Sequence, residues 1–362
     1  MITSTRRSLV VVALLMVSAA VPVRAAPRLP EPIRDALNRM GVAPDAAQAM
    51  IDATLGNPQA PQPTDPRVAA QMRLARKQDV VVDDRVDLFD SRHVQLGMWR
   101  TSDFLRDYGT ALLLMAPYDN RRIPVFLVHG INGSPRDYAP VVARFRDSRY
   151  QAVVFYYPTG MPLADASREL GTRMQEFLER HPTNGFAVVG HSMGGLVAKG
   201  LLDQFDVARD FPAWKAFVGV SCPWNGVAAA SQAKRLPAYP ASWDDLAPTS
   251  TFVHRVNTTP FPPSLAFYMF FGARGGRSMF SVLGNHDGRL SVDSMMDTPL
   301  AEAARDTFGF YEDHVSILAA PRALARLETV LDQELGNTRQ ERRLPPNVPG
   351  DDDPRSARVG RD

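Results

Sequence analysis

The run FAVVGHSMGGLVAKG, from Phe186 to Gly200, restricts the folds open to this chain more than any other stretch. Four apolar residues, Phe186 to Val189, read as a short buried strand, and Leu196, Val197 and Leu201 recur at the spacing of a helix face. Ser192 therefore falls on the turn between strand and helix. Gly190 and Gly194 frame it as G-x-S-x-G, the spacing of a nucleophile elbow. The glycines answer a steric demand, because a Cβ two residues to either side of the serine collides with neighbouring backbone. The strained turn leaves a hydroxyl exposed at a helix N-terminus, where free N–H groups and the helix dipole favour negative charge.

The surrounding chain supplies a sheet for such a turn. Ile123 to Val128 and Ala152 to Tyr157 read as strands, and a helix follows with Leu163, Ala166, Leu170, Met174 and Phe177 along one face. After the elbow come KAFVGVS, a strand ending near Ser221, and LAFYMFFG, a strand starting near Leu265. A helix with Leu324, Leu327, Leu331 and Leu335 closes the periodic part. Strands alternating with helices predict an α/β fold, a mostly parallel sheet with helices on both faces. The stretch at about 231–264, rich in Pro, Trp and Ser, breaks the rhythm and is expected to be an insertion.

The ends of the chain read differently. Arg6 and Arg7 precede an apolar run from Leu9 to Val21, and VPVRAAP then offers Val23 and Ala25 at the small-residue positions of a cleavage site. The run is shorter than the ~20 residues of a membrane span, and no cysteine follows it to carry a lipoprotein anchor. Residues 1–25 are therefore expected to be a signal peptide, with the mature chain starting near Ala26 and exported to the periplasm or secreted. The alternatives are an uncleaved anchor and, from the arginine pair, a twin-arginine route. Residues 26–66 read as a helical extension, with Ile33, Leu37 and Met40 on one face, followed by a proline-rich linker from Asn57 to Pro66. The tail, 337–362, is polar, charged and without aromatics; it buries too little to offset its ordering entropy and is expected to be disordered. Between them lies a main domain, 67–336.

Composition narrows the partners. A chain of 362 residues that is 45% hydrophobic can bury one large core. A net charge of +2 with scattered arginines gives no reason to expect a nucleic-acid partner. The single cysteine, Cys222, excludes an internal disulfide, and any metal would have to be held by His and carboxylates. No metal and no cofactor are expected.

A serine hydroxyl needs a base to take its proton and an acid to orient that base. Where the serine stands on an elbow, acid and histidine come after it in that order, on loops at the carboxyl ends of strands. Only His254, His286 and His314 lie beyond Ser192. His254 falls in the irregular insertion, and His286 is too close to the strand that should carry the acid. His314, in FYEDHVSIL just before the last helix, is the candidate base. For the acid, GNHDGRLSVDS offers Asp287, followed by Gly as in a tight turn, and Asp293 in reserve; each also has an ordinary reading as a turn or helix-capping residue. VFLVHGINGSP sets His129, Gly130 and Gly133 just after a buried strand. The N–H of Ile131 in that loop and the N–H of Met193 are the candidate donors to an oxyanion.

Taken together, VFLVHGINGSP, FYYPTG, VVGHSMGGLVAKG, VSCPWNG, NHDGRLSV and EDHVSIL resemble the lipase/esterase-like branch of the α/β-hydrolase superfamily. They are similar to exported bacterial members that combine HGI-x-G-S-P with GHSMGGL. The resemblance covers roughly Ile123 to Leu335. It implies an α/β-hydrolase domain over 67–336, with the insertion at about 231–264 as a cap. It also implies a carboxylic-ester hydrolase working through an acyl-enzyme on Ser192, with His314 as base and Asp287 orienting it. Small-molecule or lipid esters are the implied partners, with room for transient contact with a membrane or lipid surface. Cys222 stands where relatives more often carry Thr or Ser, and with no basic neighbour evident it reads as a small buried residue. Trp224, Trp243, Phe252 and Phe261 read equally as the lining of an acyl pocket or as the cap's own small core. Two other functions fit the same fold: an acyltransferase that passes the acyl group to an alcohol, amine or thiol, and a non-catalytic binding protein. The presence of both Ser192 and His314 weighs against the binding protein.

Overall fold

Among the described residues, seven strands form one sheet in the order β1-β3-β2-β4-β5-β6-β7. They are β1 (Ala111–Leu114), β2 (Ile123–Val128), β3 (Tyr150–Tyr156), β4 (Phe186–His191), β5 (Trp214–Val220), β6 (Ala266–Gly272) and β7 (Asp306–Phe310). β1 is antiparallel to β3, and every other neighbouring pair is parallel. The computed structural model describes residues 66–75, 78–82, 89, 91–233, 239–274 and 286–336. The expected signal peptide, the helical extension, the linker up to residue 65 and the tail 337–362 lie outside these. Pro66, read from sequence as the end of the linker, opens the helix α1 (Pro66–Ala75); a first helical turn tolerates proline, since its N–H would have no partner there.

The remaining helices are α2 (Ser91–Trp99), α3 (Thr101–Asp107), α4 (Ala139–Phe145), α5 (Leu163–Arg180), α6 (Met193–Gln204), α7 (Val207–Asp210), α8 (Ala228–Ala233), α9 (Ser242–Leu246), α10 (Thr251–Thr258), α11 (Val292–Met296), α12 (Pro299–Ala303) and α13 (Pro321–Leu335). β2 shows how they enclose the sheet. Its Val125 and Leu127 pack with Val141 and Phe145 of α4 and with Leu327 and Leu331 of α13. Its Phe126 and Val128 belong to the opposite cluster, with Leu170 and Met174 of α5 and Leu196 and Leu201 of α6. A strand covered on both faces has no polar side to present, so IPVFLV is buried at every position. This is the mostly parallel sheet with helices on both faces expected from the alternation of elements.

The edges of the sheet differ from the sequence reading. β1 is four residues long and β7 (DTFGF) is half-exposed, so neither carries the long apolar signature that marked the central strands. β1 is covered by a third cluster in which Met72 of α1 and Phe104 of α3 meet Leu113. Its open side is closed where Leu114 accepts the Val82 N–H at 2.8 Å and donates its own N–H to Val80 at 3.0 Å, which removes a free edge for pairing.

Among the described residues, the insertion shares the core of the main sheet. Trp243 and Leu246 of α9 and Phe252, Val253 and Val256 of α10 join the cluster built by α5, α6 and the sheet, as does Trp224. Phe261 is partly buried on the same cluster and stacks on Phe267, ring centroids 4.5 Å apart. Because the central strands are parallel, the carboxyl ends of β2, β4, β5, β6 and β7 all meet at one rim, where ligands of open α/β sheets bind.

Candidate active site

At that rim β4 hands over to α6 through Ser192, whose φ of 54° and ψ of −128° lie outside ordinary L-residue space. Such a conformation costs on the order of 1–3 kcal/mol and persists only where the surroundings over-determine it. Here the Ser192 N–H donates to Val220 O at 2.8 Å and Ser192 O accepts the Gly195 N–H at 3.0 Å. The flanking glycines leave no room for anything larger. A Cβ on Gly190 would lie 2.5 Å from Gly195 Cα, and one on Gly194 would strike the carbonyls of Val128 and His129.

Three separate loops converge on this turn. His314 Nε2 lies 3.0 Å from Ser192 Oγ, and His314 Nδ1 lies 2.6 Å from Asp287 Oδ2. Ser192, Asp287 and His314 are all buried. The Asp287 loop is built around a side-chain-capped turn: Oδ1 accepts the N–H groups of Leu290 at 2.8 Å and Arg289 at 3.0 Å, with Gly288 at φ 93°. That occupies Oδ1 and leaves Oδ2 for the imidazole. The carboxylate holds the proton on Nδ1, so the Nε2 lone pair faces the serine hydroxyl.

The loop after β2 lies against the same serine. A Cβ on Gly130 would come within 2.9 Å of Ser192 Cβ. The loop is pinned from several sides. His129 Nδ1 donates to Gly130 O at 3.1 Å, Tyr157 donates to His129 O at 2.8 Å, and the Asn132 N–H donates to Thr159 Oγ1 at 3.2 Å. Ile131 follows Gly130, and Met193 is the first residue of α6. Neither main-chain N–H has an acceptor among the described residues. Two open donors beside a hydroxyl–imidazole–carboxylate line can stabilise a negative oxygen as it forms.

Comparison with known proteins agrees with the fold. Residues 123–247, about a third of the chain, match the thioesterase domain family. The mature form of the Bacillus licheniformis lipase BlEst2 superposes with a TM-score of 0.50, at 16% identity, over 59% of this chain and 93% of that one. The chain has the α/β-hydrolase fold. A gene product of Listeria innocua is similar at 15% identity over 59% of this chain and 94% of its own, with a TM-score of 0.46. No curated protein matches the sequence significantly.

Burial and hydrogen bonding together set the electrostatics around the rim. Burial raises the Asp287 pKa, but the hydrogen bond and charge of His314 and the two loop N–H groups outweigh it, leaving the carboxyl below its ordinary value. Burial holds His129 down to about 4 and His191 to about 3, so both rings are neutral at pH 7. Asp137 accepts the Ser134 N–H at 3.2 Å, and burial lifts its pKa to about 6 against the pull of that bond and of Arg289.

The other residues singled out in the sequence do not join the Ser192–His314–Asp287 line. Asp293 is exposed in the first turn of α11. His286 accepts the Gly288 N–H at 3.0 Å within the acid loop, and His254 is exposed on α10. Burial raises the Cys222 thiol well above its ordinary value, and its Sγ lies 3.4 Å from the carbonyls of Gly190 and Val220; it is a packing residue behind the elbow. One contact had no sequence signal: His191, next to the serine, reaches the main chain of His314.

Proposed function

We propose that this α/β-hydrolase cleaves carboxylic esters through an acyl-enzyme on Ser192. The observation that carries the reading is the continuous line from Ser192 Oγ through the His314 ring to Asp287, with distances of 3.0 and 2.6 Å, at an elbow with open N–H groups beside it. His314 Nε2 takes the hydroxyl proton as Oγ attacks the ester carbonyl, and the imidazolium that forms is stabilised by Asp287. The N–H groups of Ile131 and Met193 receive the tetrahedral oxyanion. The imidazolium then protonates the leaving alcohol, and water, deprotonated by the same ring, releases the acid. None of these steps calls for a cofactor or metal.

The match to the thioesterase domain family favours a second reading, in which the scissile bond is a thioester. The same residues serve, since the carbonyl carbon is attacked in both cases. Transfer of the acyl group to an acceptor alcohol, amine or thiol is a third outcome of the same intermediate. The leader-like residues 1–25 place the mature enzyme, in this proposal, in the periplasm or outside the cell.

A serine-directed fluorophosphonate tests the nucleophile. Covalent labelling of Ser192 in the wild type, lost in Ser192→Ala, is the expected result; a folded, unlabelled wild type refutes the proposal. Parallel assays on p-nitrophenyl esters and acyl thioesters, with and without an acceptor alcohol, separate the three chemistries.

A further inference from the structure

We propose that His191, the residue before the elbow serine, positions the base by holding its main chain. This rests on the proposed roles of Ser192, His314 and Asp287. His314 is fixed at four points. Its ring bonds to Asp287 and Ser192, its N–H donates to Asp287 O at 2.8 Å, and its carbonyl lies 2.8 Å from His191 Nε2. A carbonyl can only accept, so the proton of the neutral His191 ring sits on Nε2. Nδ1 is then a bare acceptor, and it is buried without a partner among the described residues.

The bond closes a short ring of contacts. It runs from Ser192 Oγ to His314 Nε2, through residue 314 to its carbonyl, to His191 Nε2, and through residue 191 back to Ser192. Serine and base are 122 positions apart in the chain, and the loop that carries the base presents Tyr311 and Val315 to solvent at 81% and 48% exposure. Asp287 orients the ring from its Nδ1 side. Among the described residues, the His191 bond is the one that ties the main chain of His314 to the elbow itself. The choice of histidine also has an electrostatic reason. The two rings are 4.9 Å apart, and a charged donor there would oppose the imidazolium that forms when His314 takes the proton. Burial keeps His191 neutral.

A base displaced by about 1 Å loses on the order of 10²-fold in rate, while surfaces that bind substrate are unchanged. The expected signature is a fall in kcat at constant KM. Two neutral substitutions separate positioning from packing: the side-chain nitrogen of Gln reaches the place of Nε2, and that of Asn only the place of Nδ1. His191→Asn should lower kcat, and the rate of Ser192 labelling by a fluorophosphonate, by roughly 10- to 10²-fold with KM unchanged. His191→Gln should recover most of both. Indistinguishable Asn and Gln variants, or a folded Gln variant as impaired as expected for Asn, would overturn the proposal. A wild type that does not label at Ser192 at all would instead refute the underlying reading of the site.

Discussion

Ser192 and Ser221 occupy equivalent steps on the rim of the sheet. Each is the residue just beyond a parallel strand, each is buried, and each has a positive φ, 54° and 47°. Each N–H extends the ladder by one rung, Ser192 to Val220 O and Ser221 to Phe270 O, both at 2.8 Å. Their hydroxyls then part company. Ser192 Oγ meets the His314 ring, whereas Ser221 Oγ accepts the Gly272 N–H at 3.3 Å. The path of the chain beyond each serine accounts for the difference. Past Ser192 the chain enters α6 and leaves its first N–H open; past Ser221 it runs through Cys222 and Pro223 to the buried Trp224. A strained step at a strand end does not by itself bring a hydroxyl to a base. Ser221 braces the end of β6, and Gly272 there lies against Asp287, since a Cβ on it would be 3.2 Å from Asp287 Cβ.

The largest expected effect tests the chemical half of this comparison. Ser192→Ala should lower kcat on the order of 10⁶-fold, with the variant folded by circular dichroism. Ser221→Ala should cost far less, through a loosened Gly272. Comparable losses at the two serines would erase the distinction.

Next is the acid that only one of the serines reaches, through the imidazole. Asp287→Asn should lower kcat by up to ~10⁴-fold with little change in KM, and Asp293→Asn, an exposed residue of α11, should stay near wild type. Steady-state kinetics on one ester decides it, and a larger loss at Asp293 would reverse the assignment.

A smaller effect comes from Asp137, half-buried below the loop that lies against Ser192. Its folded pKa, about 6, is above the ordinary 3.8, so between these values the folded chain keeps a proton that the unfolded chain has lost. Stability should therefore fall as pH rises through this window and level off above it, by up to about 3 kcal/mol. Asp137→Asn removes that slope. In thermal melts, the Tm of the variant should gain on the wild type from pH 4 to about 6 and hold that gain above it; parallel curves would show that the carboxyl does not titrate there.

The smallest effect sharpens what the two serines share. Replacing either by Ala keeps the strained φ, and replacing it by Gly relieves it, so the Gly variant should exceed the Ala variant by about 1 kcal/mol at each position. Urea unfolding measures this difference, and unequal values would mean that the two steps are not strained alike.

Much of this architecture was legible in short patterns. IPVFLV and FAVV announced strands buried on both faces, and GHSMG announced the turn, because its glycines are demanded by contacts within a few residues. Asp287 and His314 were singled out by chain order after the serine, and Gly288 marked the turn that frees one Asp287 oxygen for the imidazole. β1 and β7 were missed, since an edge strand of four or five residues lacks a run long enough to stand out. The aromatics of the insertion were equally ambiguous, because Trp243 and Phe252 would look the same in a cap core, a pocket wall or the main core they join.

By itself the sequence determined the α/β alternation, the position of the strained serine and the short list of its partners. Each arises from local periodicity or from sterics inside one turn. Only the tertiary structure decided which groups touch. The Ser192–His314 contact joins residues 122 apart, and the His191 bond ends on a main-chain carbonyl 123 residues away. Every residue carries such a carbonyl, so no side-chain pattern can mark the one that is bonded, and only the packing of parallel strand ends at a common rim brings it within reach.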